Sequence, residues 1–251
     1  MAIAELATDL AAALDPCVLA ERAGIIPDDW QATVLRSTAA RVLLLCSRQA
    51  GKSTITAVLA VHTALYEAGA LVLILSPSLR QSSETFKKCT SVYGALGRPV
   101  PPESESGLQL ALENGSRIVS LPGREGTIRG YSGVRLLCVD EAAWVEDGLY
   151  LAVRPMLAVS GGRLIALSTP HGTRGWFYES WRGDEPWQRF EVPATQCPRI
   201  SAAFLEEERR VMGAWWWEQE YACRFLDAQT QPFGRDDVEA CFREEVQTWA
   251  L

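Results

Sequence analysis

An α/β fold, with a mainly parallel sheet flanked by helices, is predicted by three features of this 251-residue chain. Short, largely apolar runs at 42–45, 71–75, 134–139 and 163–168 have the length and composition of buried strands. Helical stretches separate these runs, which is the order that builds a parallel sheet. Small, hydroxyl-bearing or charged residues follow each run at 46–53, 76–78, 140–141 and 168–169, the carboxyl ends where such sheets bind ligands.

In chain order, the first forty residues read as a helix followed by a short second one over 27–35, capped near Pro27 or Asp28. The strand Val42-Leu-Leu-Leu45 runs through Cys46-Ser47-Arg48-Gln49-Ala50-Gly51-Lys52-Ser53 into a helical segment, 54–60. Residues 71–75 form a central strand, broken by Ser76-Pro77-Ser78, and 81–96 form a helix. Two apolar segments, 108–113 and 116–121, flank Asn114-Gly115, the dipeptide of a type I′ hairpin turn. The strand 134–140 ends in acids, 148–157 reads as helix, and 163–168 is a last buried strand leading to Thr169-Pro170. Residues 201–226 read as one or two helices with Ser201 as N-cap and Glu206-Glu-Glu208 just beyond the first turn. Trp215-Trp-Trp217 cannot all face one helix stripe; packing between subdomains explains them better than a base-stacking platform. The tail 228–251 is polar and mixed, a linker or small docking segment.

Composition narrows the class. Hydrophobic residues make up 48% and charged residues 22%, ordinary for one α/β domain with an appended subdomain. No apolar run reaches membrane-spanning length, and the alanine-rich start carries Glu5 and Asp9 with no basic lead, against a signal peptide. Seven scattered cysteines without a C-x-x-C, and only two histidines, argue against a disulfide framework or a zinc site and for a reducing compartment. The net charge of −7 is opposite to that of a simple nucleic-acid binder, so global electrostatics supports no such partner.

The 46–53 segment carries the chemistry. Between a strand and a helix it reads as a phosphate-binding loop: backbone N–H groups wrap phosphates, Lys52 neutralises the terminal ones, and the Ser53 hydroxyl ligates magnesium. Cys46 replaces the usual first glycine, so the G-x4-G-K-[ST] pattern fails by one residue, and a tight turn that happens to carry a lysine is the plain alternative. Asp140-Glu141 adds weight, because two acids at the end of a buried strand are costly unless they face a site. With the loop upstream, Asp140 would hold Mg²⁺ through water and Glu141 would polarise the water that attacks the γ-phosphorus. Together these point to an ATP-hydrolysing P-loop NTPase.

The series Trp30-Gln31, 47–53, Ile128-Arg-Gly-Tyr-Ser132, 137–143 and 167–170 resembles the N-terminal ATPase part of the large terminase subunit, the DNA-packaging motor of tailed phages, over roughly residues 25–230. The resemblance implies a RecA-like (ASCE) P-loop core over 1–200, a helical lid over 201–230 and a linker over 231–251. It implies nucleotide contacts from Gln31, Ser47, Arg48, Gln49, Ala50, Gly51, Lys52, Ser53 and Thr54, with Gln31 on the adenine edge and Arg48 sensing the γ-phosphate. Mg²⁺ falls to Ser53 and Asp140, catalysis to Glu141, Lys52 and Arg48, and coupling of phosphate loss to Ser168 and Thr169. Arg129, in the glycine-flanked loop Gly126-Thr-Ile-Arg-Gly130, matches an arginine offered to a neighbouring subunit's nucleotide; Arg124 is its weaker competitor. Implied partners are double-stranded DNA, a homo-oligomeric ring, the portal and the small terminase subunit, with no membrane, in the host-cell cytoplasm.

The family's usual RNase H-like nuclease does not fit here. Asp236, Asp237 and Glu239 are too close together to build it, so no DNA cleavage is expected from this polypeptide. Two other classes compete: a helicase-like translocase, which needs a second RecA-like domain, and a non-hydrolysing, nucleotide-dependent assembly scaffold, which has no use for Glu141. Arg80, Lys87, Lys88, Arg174 and Arg182 are DNA-contact candidates by charge alone, and solvated faces explain each of them better.

Overall fold

The protein is described from a computed structural model covering residues 3–123, 128, 130–227 and 240–241. Three helices lead in: α1 (Ile3–Leu14), α2 (Pro16–Arg22) and α3 (Asp29–Arg36). The helix expected over the N-terminal stretch is interrupted at Asp15-Pro16, where Asp15 accepts the Cys17 amide at 2.9 Å and caps α2. A proline fits the first position of a new helix and not the interior of an old one.

The core follows as β1 (Arg41–Cys46), α4 (Lys52–Tyr66), β2 (Leu71–Ser76), α5 (Leu79–Ala95), β3 (Pro102–Glu105), β4 (Gln109–Leu112), β5 (Arg117–Pro122) and β6 (Val134–Asp140). Then come α6 (Asp147–Val153), β7 (Arg163–Ser168), α7 (Trp176–Arg182), β8 (Gln188–Val192), α8 (Ala202–Met212) and α9 (Ala214–Glu220). The helix expected over 148–157 stays α-helical only to Val153 and tightens into a 3₁₀ turn across Pro155, which has no N–H to give.

The strands form one sheet in the order β3-β4-β5-β2-β6-β7-β1-β8. Pairing is parallel from β5 through β8 and antiparallel only in the β3-β4-β5 meander. Alternate side chains separate the core into two layers. Val42, Leu44 and Cys46 pack with Val72, Ile74 and the inner face of α4, while Leu43 and Leu45 join Leu71, Leu73 and Leu75 on the other face with α6 and α7. Each such leucine withdrawn from water contributes roughly 1.5–3 kcal/mol. Burial around almost every side of α4 fixes the helix that begins at the candidate loop.

Two strands escaped the sequence reading for the same reason. β3 and β8 are sheet edges with mostly polar, partly exposed residues, so neither shows an apolar run. The β4–β5 hairpin exists, but its turn is not type I′. Gly115 alone is left-handed (φ 82), and the bonds from the Gly115 amide to the Leu112 carbonyl and from the Leu112 amide to the Ser116 carbonyl enclose a three-residue loop. Asn114 is held elsewhere: its Nδ2 donates to the Ala64 carbonyl at 2.8 Å, at the end of α4.

Candidate nucleotide-binding site

The sheet order places the chemistry. β7 lies between β1 and β6, with Leu45 level with Ser168 and Asp140 level with Leu167, so the loop after β1, the acids after β6 and the hydroxyls after β7 open at one edge. At the usual strand spacing the ends of β1 and β6 lie about 10 Å apart.

The loop is built for backbone approach. Gly51 is the N-cap of α4 in a left-handed conformation (φ 95), and Gln49 is left-handed too (φ 58). A Cβ at Gly51 would sit 2.6 Å from Gln31 Nε2 and 3.0 Å from Arg199 Nη2, side-chain ends that could shift, so it is the left-handed φ that favours glycine here. The Ser47 and Arg48 amides donate to the Val192 and Glu220 carbonyls, at 2.9 and 3.0 Å. The first amide to reach the Gly51 carbonyl is that of Thr54, at 3.1 Å, so those of Gly51, Lys52 and Ser53 precede the first bond of the helix and point where an anion would sit. Cys46 is completely buried in the core layer facing α4, which explains why a side chain is tolerated there; burial pushes its thiol far above the usual range.

Lys52 and Glu141 meet. Lys52 Nζ donates to the Ser47 carbonyl at 3.3 Å and lies 3.6 Å from Glu141 Oε1, with only 8% of the lysine exposed. Ser168 Oγ donates to Glu141 Oε2 at 3.4 Å and accepts the Ala143 amide at 3.2 Å. Glu141 has left-handed backbone (φ 50, ψ 47), a sparsely populated state for a residue with a side chain. The sequence-predicted base, phosphate-binding lysine and coupling hydroxyl thus form one contact chain. Thr169 is buried beside Ser168, and Ser53 and Thr54 are half-buried in the first turn of α4.

Asp140 is 4% exposed, accepting Thr85 Oγ1 at 3.0 Å and the Glu141 amide at 3.1 Å. Burial first, and the neighbouring Glu141 second, push its carboxyl up to about 6. An aspartate so raised favours the folded state when protonated; that contribution is complete below the unfolded value of 3.8 and is lost as pH rises through about 6. In metal-free buffer Asp140→Asn is therefore expected to raise the Tm above pH 6, by the equivalent of roughly 3 kcal/mol at most, with the gain vanishing below pH 4. Thermal melts across pH check this, and a gain independent of pH would refute it. The same buried charge suits a divalent cation, so the residues present fit Mg²⁺, Asp140 and Ser53 being those that would hold it.

Gln31 is 3% exposed; its Oε1 accepts the Asp28 amide at 3.0 Å and its Nε2 reaches the Ala50 carbonyl at 3.5 Å. It lies against the loop, with both ends of its amide engaged within the protein. Arg48 is exposed and its Nε lies 3.1 Å from the buried Glu220 carboxylate at the end of α9. Arg129 and Arg124 lie outside the described residues, as do Asp236, Asp237 and Glu239. Sequence reasoning missed two contributors. Thr85 comes from α5 with no motif around it, and Arg199 bridges the Ala50 carbonyl (2.8 Å) and Asp28 Oδ2 (2.6 Å) from the segment after β8.

The three tryptophans divide as their spacing required. Trp217 stacks on Tyr221 within the α8–α9 pair, Trp215 meets Trp216 edge-on, and Trp216 stays about half exposed.

A strand inserted between the loop-bearing and acid-bearing strands, with a glycine-capped loop and paired acids at the carboxyl ends of the strands, defines the RecA-like class of P-loop α/β folds. The family described as the N-terminal part of the T4-like large terminase subunit matches residues 43–238, and the chain belongs to that family. It is 30% identical over 187 residues to the large terminase subunits of Thermus phage G20c and Thermus virus P23-45. Those alignments take in 65% of this chain and 38% of each relative, so the chain spans about two-fifths of their length. Among solved structures, the ATPase domain of the Thermus phage P74-26 large terminase superposes with a TM-score of 0.73 at 23% identity, covering 82% of this chain and 97% of that one. The large terminase of a thermophilic bacteriophage, solved in complex with ADP, gives 0.65 at 12% identity, covering 79% and 53%. At these identities the two structures establish the fold. No helix among the described residues is long and apolar enough to cross a membrane.

Proposed function

We propose that this chain is the ATP-hydrolysing part of a motor that drives double-stranded DNA into a viral capsid in the host cytoplasm. The observation that carries this reading is Glu141, held between Lys52 Nζ and Ser168 Oγ where the ends of β1, β6 and β7 converge. The relatives named as large terminases, one of them solved with ADP, support it.

In this reading the triphosphate lies along the amides of 49–53, Lys52 turns from Glu141 to the terminal phosphate, and Gln31 meets the adenine edge. Ser53 and Asp140 would hold a magnesium ion, which would neutralise charge on the phosphates. Glu141, released by Lys52, accepts a proton from the attacking water. Loss of the γ-phosphate changes the Glu141–Ser168 contact. Arg48 carries the change outward, because its amide and its guanidinium both engage Glu220 at the end of α9. The α8–α9 pair then acts as the lid, moving against the core within a ring completed by a neighbour's Arg129, with the portal and small subunit as partners.

Phosphate release from Mg-ATP across a wide protein concentration series, with Lys52→Ala as blank, tests this. Specific activity is expected to rise with concentration. Flat activity removes the trans-acting arginine, and activity no higher than the blank removes catalysis by the isolated chain.

A further inference from the structure

A second feature lies at the other end of the sheet. A cavity of about 510 Å³ opens at the amino ends of the parallel strands, between the starts of β6 and β7, the segment before β1, and the last turns of α4. Three arginines line it, Arg36, Arg135 and Arg163, against two acids, Asp15 and Glu67.

Both acids are taken. Arg36 donates Nε and Nη2 to Asp15 Oδ2, at 3.0 and 2.9 Å, and Arg135 pairs with Glu67. His62, also in the lining, lies 3.1 Å from the Ala12 and Ala13 carbonyls through Nε2, which must therefore carry the proton; burial holds its pKa below the usual value, so it adds no charge at neutral pH. Arg163 is left over. Its Nε donates to the Ala39 carbonyl at 2.9 Å, while its Nη2 is buried without a hydrogen-bond partner. Burial of the guanidinium, with only the Cys138 thiol acting on it, pulls its pKa below the ordinary value.

Buried donors without acceptors are rare, and a partly buried cation without a counter-charge is costly. The lining thus holds one positive charge in excess, on a planar fork whose spacing suits a tetrahedral or carboxylate oxyanion. Thr38 and Thr63 also line the space and carry hydroxyl groups, while the Ser37 hydroxyl is given to Gln188 Oε1; the threonines suit a phosphate with several acceptor oxygens. We propose that this cavity binds a phosphate group, with Arg163 as its direct partner and Arg36 and Arg135 at the rim. The phosphate is either free in solution or part of a polynucleotide backbone. The site stands apart from the nucleotide reading, since it shares no residue with the 46–53 loop.

The probe is inorganic phosphate, titrated at constant ionic strength into Lys52→Ala protein so that the loop contributes no phosphate signal, and read from the arginine Nε–Hε resonances. A saturable shift of the Arg163 resonance is expected, together with calorimetric affinity weakened about tenfold or more in the added Arg163→Lys variant. Arg135→Gln, on the more exposed rim, serves if the Arg163 variant does not fold and is expected to weaken binding less. Displacement of the phosphate by a short DNA duplex assigns the site to backbone phosphate, and phosphate that resists the duplex assigns it to the free ion. An Arg163 resonance that does not move, or the same affinity in Arg163→Lys, overturns the proposal.

Discussion

Glu141→Gln is expected to lower ATP turnover by about 10²–10⁴-fold while leaving Mg-ATP binding intact or tighter. The amide keeps the size of the carboxylate and still offers an oxygen to Ser168, which donates to Oε2 at 3.4 Å. It loses the basicity needed to accept a proton from water. It also loses the charge that lies 3.6 Å from Lys52 Nζ, so the lysine no longer has an acid to leave when a phosphate arrives. A rise in affinity alongside the fall in rate separates this outcome from simple damage to the loop, which weakens both. Single-turnover phosphate release and equilibrium ATP binding on the same preparation measure the two effects. Turnover within a few-fold of the parent would remove Glu141 as the base.

The part of this site legible in the sequence is the part made by contiguous residues at strand ends. Val42–Leu45 and Val134–Val139 are apolar because both faces of their strands are buried, and that burial makes the polar residues following them conspicuous. What joins those segments was not legible. Thr85 reaches Asp140 across 55 positions, and Arg199 reaches Ala50 across 149, each from an element whose local pattern says only helix or loop. Glu220 fell within 201–230, the stretch the resemblance implies as a lid; its contact with Arg48 required the fold. Local chemistry also misled. Asn114-Gly115 has the composition of a type I′ turn, yet Asn114 serves the carbonyl end of α4 instead, a tertiary demand that outweighs the turn preference. The breaks at Asp15-Pro16 and Pro155 are proline effects available from sequence, and the smooth helical pattern around them obscured both.

Mixing Arg129→Ala with Glu141→Gln protein is expected to restore turnover that neither variant shows alone. Arg129 follows Ile128, which is fully buried in the layer beneath β6, and precedes Gly130 at φ 127. An arginine supplied in trans contributes about 10³–10⁵-fold to phosphoryl transfer, so Arg129→Ala alone should fall by that order. In the proposed ring the mixture is expected to rescue because the two lesions would lie on opposite sides of a head-to-tail contact. A Glu141→Gln subunit still offers Arg129, and an Arg129→Ala subunit still offers Glu141. At equal proportions about one contact in four then has both intact groups. Phosphate release measured over a range of mixing ratios should pass through a maximum near equal amounts. Arg124→Ala, on the same loop, should stay within a few-fold of the parent. An arginine acting on its own subunit's nucleotide gives the same loss in the single variant and no rescue at any ratio, and that result would assign Arg129 to its own site.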